Sequence, residues 1–278
     1  MEESYSYVKV FVEQTSMYNR ILLPQSICGG LPHLFQSWLR NCLYAAVLYF
    51  VASLMCFPFW KAYMYSSSSS SSHGNKSSYI SRKGMVSQIG VTMKAVPLGV
   101  FLHTGMEYVV EMGWTRCFPR ISDVGVVAYL CYVIVYLGIV EAGTYWVHRL
   151  LHEIKPMYKY LHQRHHLYRK EASLSPFAGW AVHPVEGILM GLPHGVAMFI
   201  VPTHFTTHLA LFMVQGAWGV AIHDRSNQMY WPLMDAGYHT VHHTSSHHNY
   251  GNFTIWMDQL FGTLHTPKQY TGFNSTNY

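Results

Sequence analysis

The chain has 278 residues, of which 50 % are hydrophobic and only 11 % charged, against roughly 25 % charged in an average soluble domain, so a disordered chain is excluded. The net charge of +5 comes from basic residues scattered along the sequence, which argues against a nucleic-acid partner and fits a membrane with basic flanks. Five cysteines, an odd number with no C-x-x-C pair, build neither a disulfide framework nor a Cys/His zinc site.

Residues 1–37 are expected to form an amphipathic segment, with Lys9, Glu13 and Arg20 on a polar stretch that is no signal peptide. The apolar run 38–57 matches the roughly 20 residues that cross a bilayer, and Pro58 and Lys61 are expected to end it. Ser66 to Ser72 cannot build a core and read as a flexible connector. A second candidate span, 89–112, is weakened by Lys94, Pro97, Glu107 and Glu111. Residues 124–147 carry only Glu141 as a charge, and between Glu186 and Asp224 there is no Asp, Glu, Lys or Arg. That length suits a helical hairpin broken near Pro202. Charge-free stretches of this size favour membrane helices over a buried soluble core. The expected fold is all-α and multi-pass, with about four transmembrane helices and a cytosolic helical, histidine-rich cap. It divides into residues 1–37, the first membrane helices over 38–123 and a catalytic region over 124–278.

Six basic residues between 148 and 186 (Arg149, Lys155, Lys159, Arg164, Arg169, Lys170) place that loop in the cytosol by the positive-inside rule. The serine loop then lies on the same side, which leaves the sequons at Asn75, Asn252 and Asn274 unmodified. The six residues either fix topology alone or also steer an acidic electron donor. Tyr145, Trp146, Tyr158, Tyr160 and Tyr168 read as an aromatic belt at the bilayer surface.

Histidine carries the chemical signal. Sixteen of the 19 lie at or after His148, and eight form three compact clusters: His148 with His152; His162, His165 and His166; His239, His242 and His243. In a helix the i, i+3 and i+4 positions share a face, so each cluster aims two or three imidazoles at one point. Imidazole suits Fe, Zn, Cu and Ni, and eight rings exceed the needs of one tetrahedral zinc, so two metal ions are the economical inference. A nitrogen-rich site beside the bilayer fits iron that activates O2 against an unactivated C–H bond of a lipid. No G-x-S-x-G, Walker, Rossmann or H-E-x-x-H motif is present. A metal transporter would place its ligands at mid-membrane, whereas these clusters lie beyond the span ends.

The boxes H-x3-H, H-x2-H-H and H-x2-H-H, within WVHRLLHEIKPMYKYLHQRHH and AGYHTVHH followed by HNYGNFTIWMDQLFGTL, resemble the fatty acid hydroxylase and sterol desaturase superfamily, and within it the sterol C5-desaturases. SLSPFAGWAVHPVEGIL, the Ile222-His223-Asp224 stretch, EQTSMYNRILLPQ and LPHLFQSWLRN carry the resemblance over nearly the whole chain. It implies an endoplasmic reticulum enzyme with a non-haem diiron centre (two Fe cations) that uses O2 to remove hydrogens from C5 and C6 of a Δ7-sterol. Electrons are implied to come from NADH through cytochrome b5 reductase and cytochrome b5. The implied iron ligands are His148, His152, His162, His165, His166, His239, His242 and His243, with His223 as a ninth. Position 227, where the resemblance leads one to expect histidine, is Asn227. Hydroxylation or C4-methyl oxidation of a sterol or other lipid is the alternative within the same chemistry, and an inactive scaffold the alternative outside it. Asp224 and Glu186 are expected to orient His223 and His183 through hydrogen bonds. His183, His247 and His248 are candidates to line the site. His194, His204 and His208 are expected to hydrogen-bond between helices.

Overall fold

The computed structural model describes residues 2–69, 82–168, 174–224 and 231–267. Helix α1 (Glu2–Leu22) and the short α2 (Gln25–Cys28) precede α3 (His33–Ser69) and α4 (Arg82–Glu111). Next come α5 (Val126–Glu153), the single turn α6 (Lys155–Met157), α7 (Pro184–Ile200), α8 (Phe205–Ala221), α9 (Ala236–Ser245) and α10 (Trp256–Leu260). A two-residue parallel ladder pairs Cys117–Phe118 with Thr203–His204, fastening the entry to α5 against the α7–α8 turn.

Among the described residues three helices are long and apolar enough to cross a membrane: His33–Ala62, Lys83–Glu111 and Val126–Glu153. Large apolar side chains such as Val47, Leu54, Met55, Val127 and Ile134 face outward along them, an arrangement stable only where the surroundings are themselves apolar. The expected hairpin is present as α7 and α8, 17 residues each. Pro202 sits in the turn between them. Each arm is shorter than a typical span of about 20 residues.

Two boundaries differ from the sequence reading. Pro58 does not end α3 but lies inside it, and the first serines of the run, to Ser69, continue the helix; Ser70 to Ser72, Asn75 and Asn274 lie outside the described residues. A proline removes one hydrogen bond, whereas leaving the helix inside an apolar phase would strand many backbone groups. Helix α4 likewise runs through Pro97. Its acidic residues are paired rather than exposed: Arg40 of α3 donates to Glu107, and Glu111 accepts from Thr15 of α1 and contacts His33. These bonds tie α1, α3 and α4 together at the end of the molecule remote from the histidine clusters.

Helices α3, α4, α5, α7 and α8 pack into one bundle. Phe11, Tyr136, Val140, Ala197, Met198 and Phe205 join α1, α5, α7 and α8 in one buried cluster, and Tyr49, Ala52, Phe177 and Val220 join α3 and α8 in another. Inside the hairpin the histidine expectation holds: Tyr136 Oη lies 2.7 Å from His194 Nδ1 and 2.8 Å from His208 Nδ1. His204 bonds instead to the Pro119 carbonyl and Thr207.

Candidate metal centre

The histidines come from five places in the chain. His148 and His152 sit one turn apart on the last turns of α5. His162 ends a π-helical turn, Tyr158–His162, and His165 and His166 follow on a 3-10 turn; π turns often mark functional positions because they redirect side chains by a fraction of a turn. His223 lies just past the end of α8. His239, His242 and His243 line one side of α9, whose N-terminus is capped by Asp235 Oδ1 accepting from Gly237 N and Tyr238 N.

All nine converge, in two groups: His148, His152, His162, His166 and His242 in one, and His165, His223, His239 and His243 in the other. Within each group the candidate nitrogens lie within 4.8 Å of one another, close to the roughly 4.2 Å that separates two opposed ligands with metal–nitrogen bonds of about 2.1 Å. The groups abut, with the His166 and His243 rings 4.6 Å apart. Eight of the nine are buried and His152 is partly so.

Hydrogen bonds fix which nitrogen faces inward. His148 Nδ1–H donates to the Tyr250 carbonyl at 2.9 Å, His242 Nδ1–H to the His248 carbonyl at 2.8 Å and His162 Nδ1–H to Glu186 Oε1 at 2.8 Å. In a neutral ring this leaves the Nε2 lone pair pointing into the group. His162 Nε2 then lies 2.8 Å from His152 Nε2 and 3.0 Å from His166 Nε2. In the second group His223 Nδ1–H donates to the Gly219 carbonyl at 2.6 Å, and its Nε2 faces the Nε2 atoms of His165, His239 and His243 at 3.0–3.3 Å. One lone pair cannot serve three N–H donors. Such convergent bare nitrogens are satisfied together by a cation, so the donor set fits one metal ion in each group. Burial, reinforced by neighbouring imidazoles, holds His162, His165, His166, His239, His242 and His243 well below the usual histidine range, and burial brings His223 to about 4. The neutral state that ligation requires is therefore built in.

Several expected supporting roles move to other residues. Glu186 orients His162 rather than His183, because α7 enters beside the π turn; His183 instead accepts from Val185 N and caps α7. The acceptor for His223 is the Gly219 carbonyl, not Asp224. His247 is exposed, and the His248 ring packs on His265 while its carbonyl serves His242. Tyr145 is fully buried against Phe261 and bonds Thr263, so it anchors the site's loop rather than a bilayer surface. Asn227, Arg169 and Lys170 lie outside the described residues.

One supporting segment, residues 249–254, entered the sequence reading only through the resemblance and was given no role. Asp258 Oδ1 accepts from Tyr250 N and Asp258 Oδ2 from Gly251 N, both at 2.8 Å, which sets the Tyr250 carbonyl against His148. Only glycine fits at 251, since a Cβ would fall on the Thr254 carbonyl and 2.8 Å from Asp258 Oδ2. The tight turn in NYGN followed by an acid seven residues after the glycine is the pattern that could have revealed it.

A cavity of about 550 Å³ opens on both groups, touching His148, His162, His165, His223 and His239. It runs between α3, α4, α7 and α8 past Leu48, Val96, Val100, Phe212 and Met213 to Glu107 and Arg40. From Thr206 to Ile222 it follows α8 for about 24 Å at 1.5 Å per residue. Its size lies within the roughly 300–1,000 Å³ of sites that enclose drug-sized ligands, and its walls are chiefly apolar.

Residues 133–263, which include all nine histidines, match the family model "Fatty acid hydroxylase". The Delta(7)-sterol-C5(6)-desaturase of Nicotiana tabacum is 49 % identical, the match covering 94 % of this chain and 96 % of the relative. A putative Delta(7)-sterol-C5(6)-desaturase 2 of Arabidopsis thaliana is 45 % identical over 94 % of this chain and 93 % of its own length. The lathosterol oxidase of Rattus norvegicus is 31 % identical over 69 % of this chain and 64 % of its own. No solved structure matches.

Proposed function

Because the chain belongs to the fatty acid hydroxylase family, we propose that it is a sterol C5-desaturase, an oxidoreductase that converts a Δ7-sterol to the 5,7-diene. The observation that carries this reading is the pair of abutting all-imidazole pockets at one end of a long apolar cavity. We assign all nine histidines as ligands of two iron ions. Iron, when bound, supplies with O2 the oxidising power to break unactivated C–H bonds. Overall, the sterol loses one hydrogen from each of C5 and C6, and O2 with two electrons and two further protons leaves as two waters. NADH, through cytochrome b5 reductase and cytochrome b5, is the electron source we assign.

The chain's own residues bind, orient and dry the site. Tyr250, His248 and Gly219 carbonyls with Glu186 hold four rings in the ligating tautomer. The apolar walls from Leu48 to Met213 take the sterol skeleton and keep water from the reacting carbons.

We place the histidine end in the cytosol, at the endoplasmic reticulum membrane. Arg149, Lys155, Lys159 and Arg164 cluster there. Trp60 near the end of α3 donates to the Leu174 carbonyl, and Gln88 near the start of α4 accepts from Ser175. Trp60 of α3 and Gln88 of α4 thus lie on the histidines' side, in keeping with three crossings by α3, α4 and α5. The α7–α8 hairpin enters and leaves on that same side.

The test is sterol profiling after expression in a host lacking its own C5-desaturase. Conjugated 5,7-diene sterols, read by their ultraviolet absorbance, are the expected product. A hydroxylated sterol in their place would refute desaturation in favour of oxygen insertion.

A further inference from the structure

We propose that Asn252 is the residue that holds the sterol's 3-hydroxyl, donating a hydrogen bond from its side-chain amide and so fixing which C–H bonds meet the histidine centre; the inference rests on the desaturation reading above. Asn252 belongs to the cavity wall beside Gly251 and His239, at the end where the two histidine groups lie. It is only 8 % exposed, and among the described residues its Nδ2 is buried with no hydrogen-bond partner. A buried donor without a partner is costly, and in a wall that faces a ligand cavity the ligand is the natural acceptor.

The backbone around it leaves no room for relief by movement. Trp218 Nε1 donates to the Asn252 carbonyl at 2.8 Å, Gly251 N to Asp258 at 2.8 Å, Met234 N to the Phe253 carbonyl at 2.9 Å and Thr254 N to Glu141 at 3.0 Å. A side chain on so fixed a segment is preorganised. Its burial in the folded chain also argues against use of the Asn252 sequon, whichever side of the membrane it faces.

Substrate chemistry points to the same end of the cavity. In a Δ7-sterol the hydroxyl-bearing C3 is separated from C5 by a single carbon, so a sterol with C5 and C6 at the histidines must also have its hydroxyl there. The Arg40 and Asn41 side chains at the far end are already engaged. Arg40 is paired with Glu107, and Asn41 donates to Thr104 and contacts Glu107. Between Thr92 and Glu107 the wall extends about 22 Å along α4, a length left for the sterol's apolar rings and side chain.

The experiment compares full-length wild type and Asn252→Ala in membranes, using a Δ7-sterol with a 3-hydroxyl and its 3-deoxy analogue. Wild type should favour the hydroxylated sterol in kcat/KM, and the variant should lose 10- to 100-fold on it, about 1.4 to 2.7 kcal/mol, while matching wild type on the 3-deoxy sterol at unchanged iron content. The near-isosteric Asn252→Asp, which accepts but does not donate, keeps the test alive if Asn252→Ala fails to accumulate; it should turn over the 3-hydroxy sterol but reject the Δ7-3-ketone, which wild type accepts. Variants that keep the wild-type preference, or that lose both sterols equally, would overturn the assignment alone. A wild type that makes no 5,7-diene from either sterol would remove the desaturation reading, and this inference with it.

Discussion

Replacing Glu186 by glutamine should move the apo and metal-loaded proteins in opposite directions. Glu186 is 3 % exposed; its Oε1 accepts from His162 Nδ1–H at 2.8 Å, while Oε2 has no partner among the described residues. Without metal, burial pushes the Glu186 carboxyl well above the usual carboxylate range, with only the neutral His162 ring and the His183 backbone beside it, so its ionised form is unfavourable there. With two cations in the neighbouring groups, the same negative charge is compensated and it raises the basicity of His162. Glutamine keeps an acceptor for Nδ1–H but reduces a charge-assisted hydrogen bond, worth roughly 1.5–3 kcal/mol, to a neutral one of roughly 0.5–1.5. The metal-loaded form therefore loses about 1 to 2 kcal/mol, or on the order of 5- to 30-fold in metal affinity, while the chelated form unfolds at a temperature equal to or above wild type. Glu186→Ala, which leaves Nδ1–H with no acceptor, should weaken metal binding further, toward the roughly 100-fold seen when such supporting partners are removed. The assay is metal content against free metal concentration, with thermal unfolding in detergent before and after chelation. Equal destabilisation of both forms, or unchanged metal affinity, would refute the reasoning.

Substituting His165 or His242 by alanine should abolish 5,7-diene formation and halve metal content while leaving membrane insertion intact, as measured by sterol profiling and membrane extraction; an active variant would break the shared-site argument. Arg40→Met removes the guanidinium partner of Glu107, which is 3 % exposed, and leaves it only Asn41 and His103; it should cost up to about 3–5 kcal/mol, with Arg40→Met/Glu107→Leu recovering much of that in thermal unfolding. Gly251→Ala must displace the Thr254 carbonyl or Asp258, and through Tyr250 should loosen His148 and lower metal affinity more than it lowers the folded yield. Acid should destabilise the metal-free protein in a defined window. His223 titrates near 4 when folded and near 6.5 when unfolded, so the unfolded chain takes up its proton first. Stability is fully present above about pH 6.5 and falls until about pH 4, by about 3 kcal/mol for this residue alone; a pH-independent unfolding midpoint across that window would contradict it.

The histidines themselves were legible because the chemistry dictates residue type and helical spacing dictates direction, and H-x3-H on α5 does put both rings into one group. The two H-x2-H-H boxes do not each aim at one point, since His165 parts from His162 and His166, and His242 from His239 and His243, to serve the two groups. His223 was reached by resemblance alone, since a single histidine after a helix has no spacing to read. The ring-orienting acceptors were illegible for a different reason. Tyr250, His248 and Gly219 act through carbonyl oxygens, which every residue possesses, so side-chain identity is silent about them. Glu186 was recognised as a supporting acid but assigned to its sequence neighbour His183, when the π turn brings His162 to it across 24 residues. Helix ends in the membrane were misjudged at Pro58 because proline's penalty in water is a poor guide where no water waits to receive freed backbone groups.

The low charge of the chain and its metal chemistry meet in the acids it retains. Only 13 Asp and Glu are present, and among the described residues five are buried: Glu107, Glu111, Glu186, Asp235 and Asp258. Two hold the remote end of the bundle through Arg40, Thr15 and His33. The other three all act on the histidines. Glu186 fixes the His162 ring, Asp235 caps the helix that carries His239, His242 and His243, and Asp258 sets the turn whose Tyr250 carbonyl fixes His148. A buried carboxylate is tolerated only where defined donors meet it, so in an apolar chain each such acid marks a place where geometry has to be exact. Here three of five surround one site, and they tie that site to α7, α9 and the 249–258 turn, elements far apart in sequence. Neutral imidazoles alone would tolerate rotation about their own bonds. With these acids and the backbone carbonyls in place, the rings of His148, His162, His223 and His242 are held in one tautomer before any metal arrives, and binding need not supply the cost of ordering them.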